Sequence, residues 1–360
     1  MTGEVATNER RDMEDLRVEW KALQEFTAKV FEGLGMPPGD AAKEAEVLVW
    51  ANLRGVDSHG VQRIAEYARR VDAGQMNPRP KIQVLKETPA TILIEADHAF
   101  GPVVTTFAME KVMGKARGMG IGWGVIRNTT HQGAMAYYTQ MAAAEDMIGI
   151  AVVCSPPNMA PPGARAAGVH NSPIAIAVPG KNHRPISLDM ATSVAAGGKL
   201  HVAIDKGVPI PEEWALDREG RPTTDPKKAA FLRPAGGYKG YGLALMFECL
   251  SSVLAGNPLI TSILLSQNPV SPGTQNSFVG AIDISTFTDV EEYKRNIDQL
   301  AAALKGLPRV EGTDEILVPG EPEDQVYADR IQNGIPLPTG TVEKLRMAAE
   351  RFKLKLPPPL

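Results

Sequence analysis

TILIEADHAFGPVVTTFAMEKVMGKARGMGIGWGVIRNTTHQGAMAYYTQMAAAEDMIGIAVV, residues 91–153, is the stretch whose pattern decides the fold class. Three short apolar, β-branched runs stand in it: Thr91–Glu95, Gly122–Arg127 and Ile148–Val153. Between the first two a helical pattern runs from Val103 to Arg117, and between the second and third another runs from Ala134 to Glu145. Length and period separate strands from helices, and strands interleaved with helices predict a mixed α/β core. Ile174–Val178 and Ile186–Asp189 extend the strand series, and Ala281–Asp283 ends its last clear member.

Upstream the texture is helical. Trp20, Leu23, Phe26, Val30 and Leu34 follow helical spacing and stop at Gly35, before Pro37 and Pro38. Asp40 is expected to cap a second helix carrying Val47, Leu48, Trp50 and Leu53. A third helix is expected from Ser58 to about Ala73, ending at Gly74, with residues 77–90 extended and punctuated by prolines. Downstream, the proline-rich connection Pro156–Pro162 is too long for a tight crossover, and such loops are often functional or lid-like. After Lys199 the run VPIPEEWALDREGRPTTDP reads as an ordered cover. Gly242–Leu254, apolar nearly all round, reads as a buried helix. Thr288 with Glu291 reads as a capping box, and Val290, Tyr293, Ile297, Leu300 and Leu304 then share one face. A last helix runs from about Val342 to Phe352. The expected division is discontinuous: residues 12–90 and 285–360 form a helical domain around an α/β domain, residues 91–284.

Composition is ordinary for a globular chain of 360 residues, with 43% hydrophobic and 22% charged residues. A net charge of −4 and no dominant Lys/Arg cluster argue against a nucleic-acid partner. Cys154 and Cys249 sit in apolar runs and read as reduced packing residues, which fits a cytoplasmic protein. The N-terminus, MTGEVATNERRDMEDLR, carries acids and reads as neither secretory signal nor transit peptide, and no apolar run approaches membrane-spanning length.

Four places carry candidate chemistry. In RGVDSHGVQRIAEY, residues 54–67, Asp57, Ser58, His59 and Arg63 fall within seven residues, and Arg63 and Tyr67 lie four apart on one helix face. That suits holding a small carboxylic acid beside a proton donor; a capped corner with solvated charges accounts equally well for this segment alone. RNTTH, residues 127–131, puts His131 after a strand, a favoured ligand position in α/β proteins. LDMATS, residues 188–193, puts Asp189 at another strand end, to bind ribose hydroxyls, orient an imidazole or serve in an ordinary cap. GGYKGYG, residues 236–242, places backbone N–H groups and Lys239 at a helix start, suited to pyrophosphate or carboxylate, or simply allows close packing. The glycines of GMGIGWG, residues 118–124, miss the spacing of a dinucleotide fingerprint and precede a strand. No metal-ligand spacing is found.

Together with NMAPPG, SPIAIAVPG and GVPIPEEWALDREGRPTTDP, these blocks resemble, in order, the type 2 malate/L-lactate dehydrogenase family. That family also embraces ureidoglycolate, diketogulonate and sulfolactate oxidoreductases and cyclic imine reductases. The resemblance runs from about Leu16 to the C-terminal helix. It implies a non-Rossmann nicotinamide-binding domain with a mixed, largely antiparallel sheet, a helical domain from both chain ends, and a homodimer with the active site in the interdomain cleft. It also implies an NAD- or NADP-dependent oxidoreductase moving a hydride between nicotinamide and C2 of a small 2-hydroxy/2-oxo acid. The alternatives are a cyclic imine or 2-imino acid reductase of the same family, and a non-catalytic dinucleotide-binding protein. Cofactor contacts carried over fall on Ser155, Asp189, Met190, Ala191, Lys239 and Gly240, and on the turn Gly320, Glu321 and Pro322. The proton-transfer residue matches His59 or His131, and Arg63 matches the carboxylate binder. Ser58 or Thr130 would orient the imidazoles, with Tyr67 beside Arg63. A histidine near its ordinary pKa of about 6.5 suits such transfer at neutral pH. The chain departs from the family's LGTNP block, reading Val169-His170-Asn171-Ser172-Pro173, and is shortened around Phe231–Pro234.

Overall fold

The computed structural model describes residues 16–267 and 270–360, so most of the polar N-terminal segment lies outside it. The chain begins with β1 (Leu16–Val18), α1 (Trp20–Gly33) and α2 (Pro38–Leu53). Two 3₁₀ turns, Asp57–His59 and Val61–Arg63, then lead into α3 (Ile64–Asp72). The central part carries β2 (Gln83–Glu87), β3 (Thr91–Glu95), α4 (Gly101–Met119), β4 (Ile121–Thr129), α5 (Ala136–Ala144), β5 (Met147–Cys154), β6 (Ile174–Val178) and β7 (Ile186–Met190). There follow α6 (Gly197–Lys206), the pair β8 (Ala215–Leu216) and β9 (Phe231–Leu232), and α7 (Tyr238–Glu248), which runs into a π turn at Cys249–Val253. Next come α8 (Leu259–Leu264), β10 (Gln275–Asp283), α9 (Val290–Lys305), α10 (Glu321–Asn333), β11 (Ile335–Leu337) and α11 (Thr339–Phe352).

Seven strands form one sheet in the order β2-β3-β4-β10-β5-β6-β7. Only β3 and β4 run parallel, joined by the α4 crossover, and every other neighbour is antiparallel. The mixed, largely antiparallel α/β sheet expected above is therefore present. Central β10 is buried from Gln275 to Ala281, yet its polar opening QNS hid it from an apolar pattern. The glycines of GMGIGWG serve packing: a Cβ on Gly122 would run into the Val112 carbonyl of α4. Removing side chains there lets α4 lie directly on the strands.

The two chain ends share a core. Leu23, Phe31, Leu48, Ile64 and Tyr67 pack with Ile335, Leu337 and Leu345, each fully buried Leu, Ile or Phe contributing about 1.5–3 kcal/mol. β1 pairs antiparallel with β11, Leu16 opposite Leu337, and the tail docks on the same strand through Leu360 N–H to the Arg17 carbonyl, 2.9 Å. α4 and α5 cover one face of the sheet with Val104, Met109 and Tyr138. Phe247 of α7 packs on the other, against Val125, Val152, Cys154 and Phe278.

Several local expectations are corrected. Pro37, not Asp40, stands at the N-cap of α2; Asp40 lies in its first turn without a capping bond. The third helix starts at Ile64, because two 3₁₀ turns occupy the residues from Asp57 to Arg63. The cap of α9 is Asp289, whose carboxylate accepts from Glu292 N–H at 2.7 Å, one residue later than the Thr288/Glu291 box. On that helix Leu300 and Leu304 are exposed. The helix read as buried is buried on one side only: Leu243, Met246, Leu250, Val253 and Leu254 are exposed, and so is Cys249. Uniform apolarity marks two covered faces, and this chain by itself supplies one cover. Among the described residues no helix is long and apolar enough to cross a membrane.

Candidate active site

The 3₁₀ corner after α2 is built by Asn52. Its side-chain oxygen accepts from Val61 N–H at 2.9 Å, and its amide donates to Asp57 at 2.6 Å. A Cβ on Gly60 would collide with this amide, so the corner needs glycine there. Arg330 of α10 holds Asp57 through both carboxylate oxygens, at 2.7 and 3.0 Å. Asp57 is thus an anchor between the chain ends, and the corner it fixes presents Ser58, His59 and Arg63 to a cleft of about 790 Å³.

His131 reaches the same cleft from the loop after β4. The residues before it are framework: Arg127 Nε donates to Glu95 at 2.7 Å, and Asn128, at φ +56°, bonds Glu95 and Asn257. Thr130 is fully buried and donates to the Ala99 carbonyl at 2.9 Å. It therefore faces away from the imidazole it was expected to orient. That task falls to Tyr67, whose hydroxyl lies 2.5 Å from His131 Nδ1, with Gly133 N–H at 3.4 Å from the same nitrogen. With the Tyr67 hydroxyl donating, Nδ1 is the acceptor and the ring proton sits on Nε2.

The His59 and His131 rings stack with centroids 5.2 Å apart and planes 25° apart. Ser58 Oγ lies 2.9 Å from His59 Nδ1. Burial, then the nearby Arg63 charge, brings His59 down to about 4. Burial, then His59 and Arg63, holds His131 well below its ordinary value. Both rings are neutral at neutral pH, in contrast to the unperturbed histidine expected from sequence; burial is the main cause, and crowding of three potential cations in one cleft adds to it. Arg63 donates through Nε to the Ser58 carbonyl at 2.7 Å and through one terminal nitrogen to Glu66 at 2.8 Å. Its other terminal nitrogen has no partner among the described residues and remains for a carboxylate.

Across the cleft stand Asp189 and Met190 at the end of β7 and Ala191 just beyond it, with Gly320 and Pro322 at the start of α10. Asp189 accepts from Ala136 N–H at 2.8 Å and so caps α5. Its side chain is exposed to the cleft yet surrounded by protein, and that partial loss of water pushes the carboxyl up to about 6. Glu321 faces elsewhere, pairing with Lys305 at 2.6 Å and His183 at 3.1 Å; Glu323 lines the cleft instead. Ser155 is buried and off the cleft wall. Lys239 and Gly240 open α7 next to Gly236 and Gly237, which line a separate depression of about 650 Å³ with Arg165 and Arg233. In a single chain the cleft thus unites Ser58, His59, Arg63, His131, Asp189, Met190, Ala191, Gly320 and Pro322. Tyr67 stands behind them, while Thr130, Ser155, Lys239, Gly240 and Glu321 lie outside.

Pattern reading missed Arg54, Asn158, Asn171, Gly197 and Gly198, which also line the cleft. Arg54 was readable only as part of its motif, and it is committed to Asp324 at 2.5 Å. The donor set fits a dinucleotide: a carboxylate at a strand end and a helix start made of glycine, α6 at Gly197–Gly198, with the Gly320 turn beside them. The α6 start has no side-chain cap, so the Gly197 and Gly198 N–H groups are open on the cleft side, whereas at α10 Pro322 lacks an N–H and Glu321 N–H is taken by the Val318 carbonyl at 3.1 Å.

The model of the malate/L-lactate dehydrogenase family matches residues 18–346. The chain is 41% identical over 298 residues to an L-sulfolactate dehydrogenase of Methanocaldococcus jannaschii, covering 82% of this chain and 86% of that protein. It is 38% identical over 347 residues to a malate dehydrogenase of Pyrococcus horikoshii, covering 93% and 95%. The crystal structure of malate dehydrogenase from Entamoeba histolytica superposes with a TM-score of 0.91 at 28% identity, covering 96% of this chain and all of that one.

Proposed function

Since the chain belongs to the malate/L-lactate dehydrogenase family and is a nicotinamide-dependent oxidoreductase of 2-hydroxy acids, we propose that its own substrate is a small 2-hydroxy/2-oxo acid read by the cleft between the corner at Ser58 and the strand end at Asp189. The observation that carries this is the convergence of Arg63, His59 and the Tyr67-held His131 on one cleft whose opposite wall suits a dinucleotide. The bound nicotinamide would exchange a hydride with C2 of the acid. Arg63 grips the C1 carboxylate end-on with two N–H···O bonds, a geometry that Lys cannot reproduce. His131 Nε2–H hydrogen-bonds the C2 oxygen, and as charge builds there its proton passes across while Nδ1 takes the Tyr67 hydroxyl proton, so the ring stays neutral. In the oxidising direction the relay runs backwards: Nε2 takes the hydroxyl proton as Nδ1 returns its own to the Tyr67 oxygen. His59, stacked beside it and tied to Ser58, supplies a second donor to that oxygen. Positioned proton transfer contributes about 10²–10⁴-fold; the rest comes from holding the reacting carbon in place.

The cofactor in this reading is NAD rather than NADP. Asp189 and Glu323 put two carboxylates on the cofactor wall, which favours free ribose hydroxyls and repels a 2′-phosphate. The division into a helical unit (residues 12–90 and 285–360) and an α/β unit (91–284) is supported by the core shared between the chain ends. A homodimer is supported by the apolar face of α7 and its π turn, where Met246, Val253 and Leu254 are each more than half exposed. A cytoplasmic location accords with two free cysteines.

The test is a panel of 2-oxo acids and cyclic imines with NADH and NADPH, followed by cofactor absorbance, together with His131→Ala and His59→Ala. Oxo-acid turnover with NADH and a larger kcat loss for His131→Ala are expected. Turnover of imines alone would transfer the chain to the imine reductases. Two near-normal variants would remove the histidines from the chemistry.

A further inference from the structure

The strip Val169-His170-Asn171 puts a third imidazole on the cleft wall. The strip is clamped from two sides. Asn171 N–H donates to Asn158 Oδ1 at 2.8 Å, the Asn158 amide donates back to Asn171 Oδ1 at 3.0 Å, and Thr192 N–H donates to the Asn171 carbonyl at 3.0 Å. Val169 bridges Met159 and is buried in the core. Successive side chains of an extended strip alternate, so His170 is turned the other way, into the cleft.

Ser172 Oγ lies 3.4 Å from His170 Nδ1, and His170 Nε2 has no hydrogen-bond partner among the described residues. With the serine hydroxyl donating to Nδ1, the ring proton sits on Nε2. Burial lowers this imidazole to about 3, so it is neutral in the free protein. It lines the same cleft as His131 and Arg63. Arg63 is committed to the C1 carboxylate, which leaves His170 and the second N–H of the Asn158 amide as donors for the other end.

We propose that His170, with Asn158, is the specificity-determining group that receives a second acidic or strongly polar group at the far end of the oxo acid. A carboxylate or sulfonate beyond C3 gives Nε2–H a charge-assisted bond. A methyl group there desolvates the same N–H with nothing in return, the asymmetry by which sites discriminate most strongly. The enzyme therefore prefers acids with two anionic ends to simple alkyl 2-oxo acids. This deepens, and rests on, the oxo-acid reading above.

The experiment compares oxaloacetate with pyruvate, both with NADH, in the wild-type protein, His170→Ala and His170→Gln. For His170→Ala the oxaloacetate-to-pyruvate ratio of kcat/KM is expected to fall about tenfold or more, chiefly through KM for oxaloacetate, the size of losing one hydrogen bond to a charged group. His170→Gln keeps an N–H donor and should recover most of the ratio, which a merely structural role would not produce. An unchanged ratio in both variants overturns the inference alone. Equal losses with both acids, accompanied by a raised KM for NADH, overturn it too and place His170 against the cofactor. Absence of NADH oxidation with either acid in the wild-type protein removes the oxo-acid reading, and the inference with it.

Discussion

Tyr67→Phe removes one oxygen atom from behind the proposed proton donor and little else. The hydroxyl lies 2.5 Å from His131 Nδ1. The Tyr67 ring is fully buried against Phe31 and Phe100, with centroids 6.4 and 6.0 Å away. Phe keeps those packing contacts, so the fold should survive. His131 is left with the Gly133 N–H at 3.4 Å, beyond the range of a good hydrogen bond. A buried hydrogen bond contributes about 0.5–1.5 kcal/mol net, and about 1.4 kcal/mol is tenfold in rate. The ring also becomes free to adopt the tautomer whose Nε2 carries a lone pair, which cannot donate to the C2 oxygen. A kcat loss of about tenfold is therefore expected, with KM for the acid little changed because Arg63 is untouched. The hydroxyl stabilises the neutral ring, so its loss should also raise the pKa seen in the acid limb of the kcat profile. Steady-state kinetics across pH, with thermal unfolding of the same samples, makes the check. Unchanged kcat and an unmoved acid limb would refute the role of Tyr67; a rate loss that merely tracks a lower melting temperature would refute it as well.

Arg63→Lys should raise KM for the acid by about tenfold or more, since an ammonium replaces a planar fork, and unchanged kinetics would take Arg63 out of the site. Glu44 is fully buried and neither carboxyl oxygen has a hydrogen-bond partner among the described residues; burial raises its pKa well above 4.5. The unfolded chain therefore releases this proton first, and stability is full below about pH 4.5 and is lost as pH rises toward the folded value. Glu44→Met, similar in size and without charge, should stabilise the protein at neutral pH by about 1–3 kcal/mol and flatten that decline; denaturant midpoints with an unaltered pH slope would contradict it. Leu250→Asp on the exposed apolar face should convert a dimer to monomer in sedimentation, and a wild-type protein already monomeric would remove the dimer from the proposal.

Sequence alone settled what depends on local pattern and on motif order. The strands from Thr91 to Asp189 stand almost where their β-branched runs place them, because alternation and length are properties of a few neighbouring residues. The family was legible because its motif blocks follow one another in the same order. Tertiary structure decided what depends on which groups meet. Thr130 sits beside His131 in sequence yet bonds Ala99, while Tyr67, sixty-four positions away, holds the imidazole. Asp57, set among the candidate chemical groups, proved to be an anchor for Arg330. The pKa values of His59 and His131 were invisible to sequence, because burial and mutual charge arise only when two loops face one cleft. The helix at α7 looked buried since composition records how apolar a face is, not whether this chain covers it. Packing partners distant in sequence supply both the cover and the field, and no local pattern encodes them.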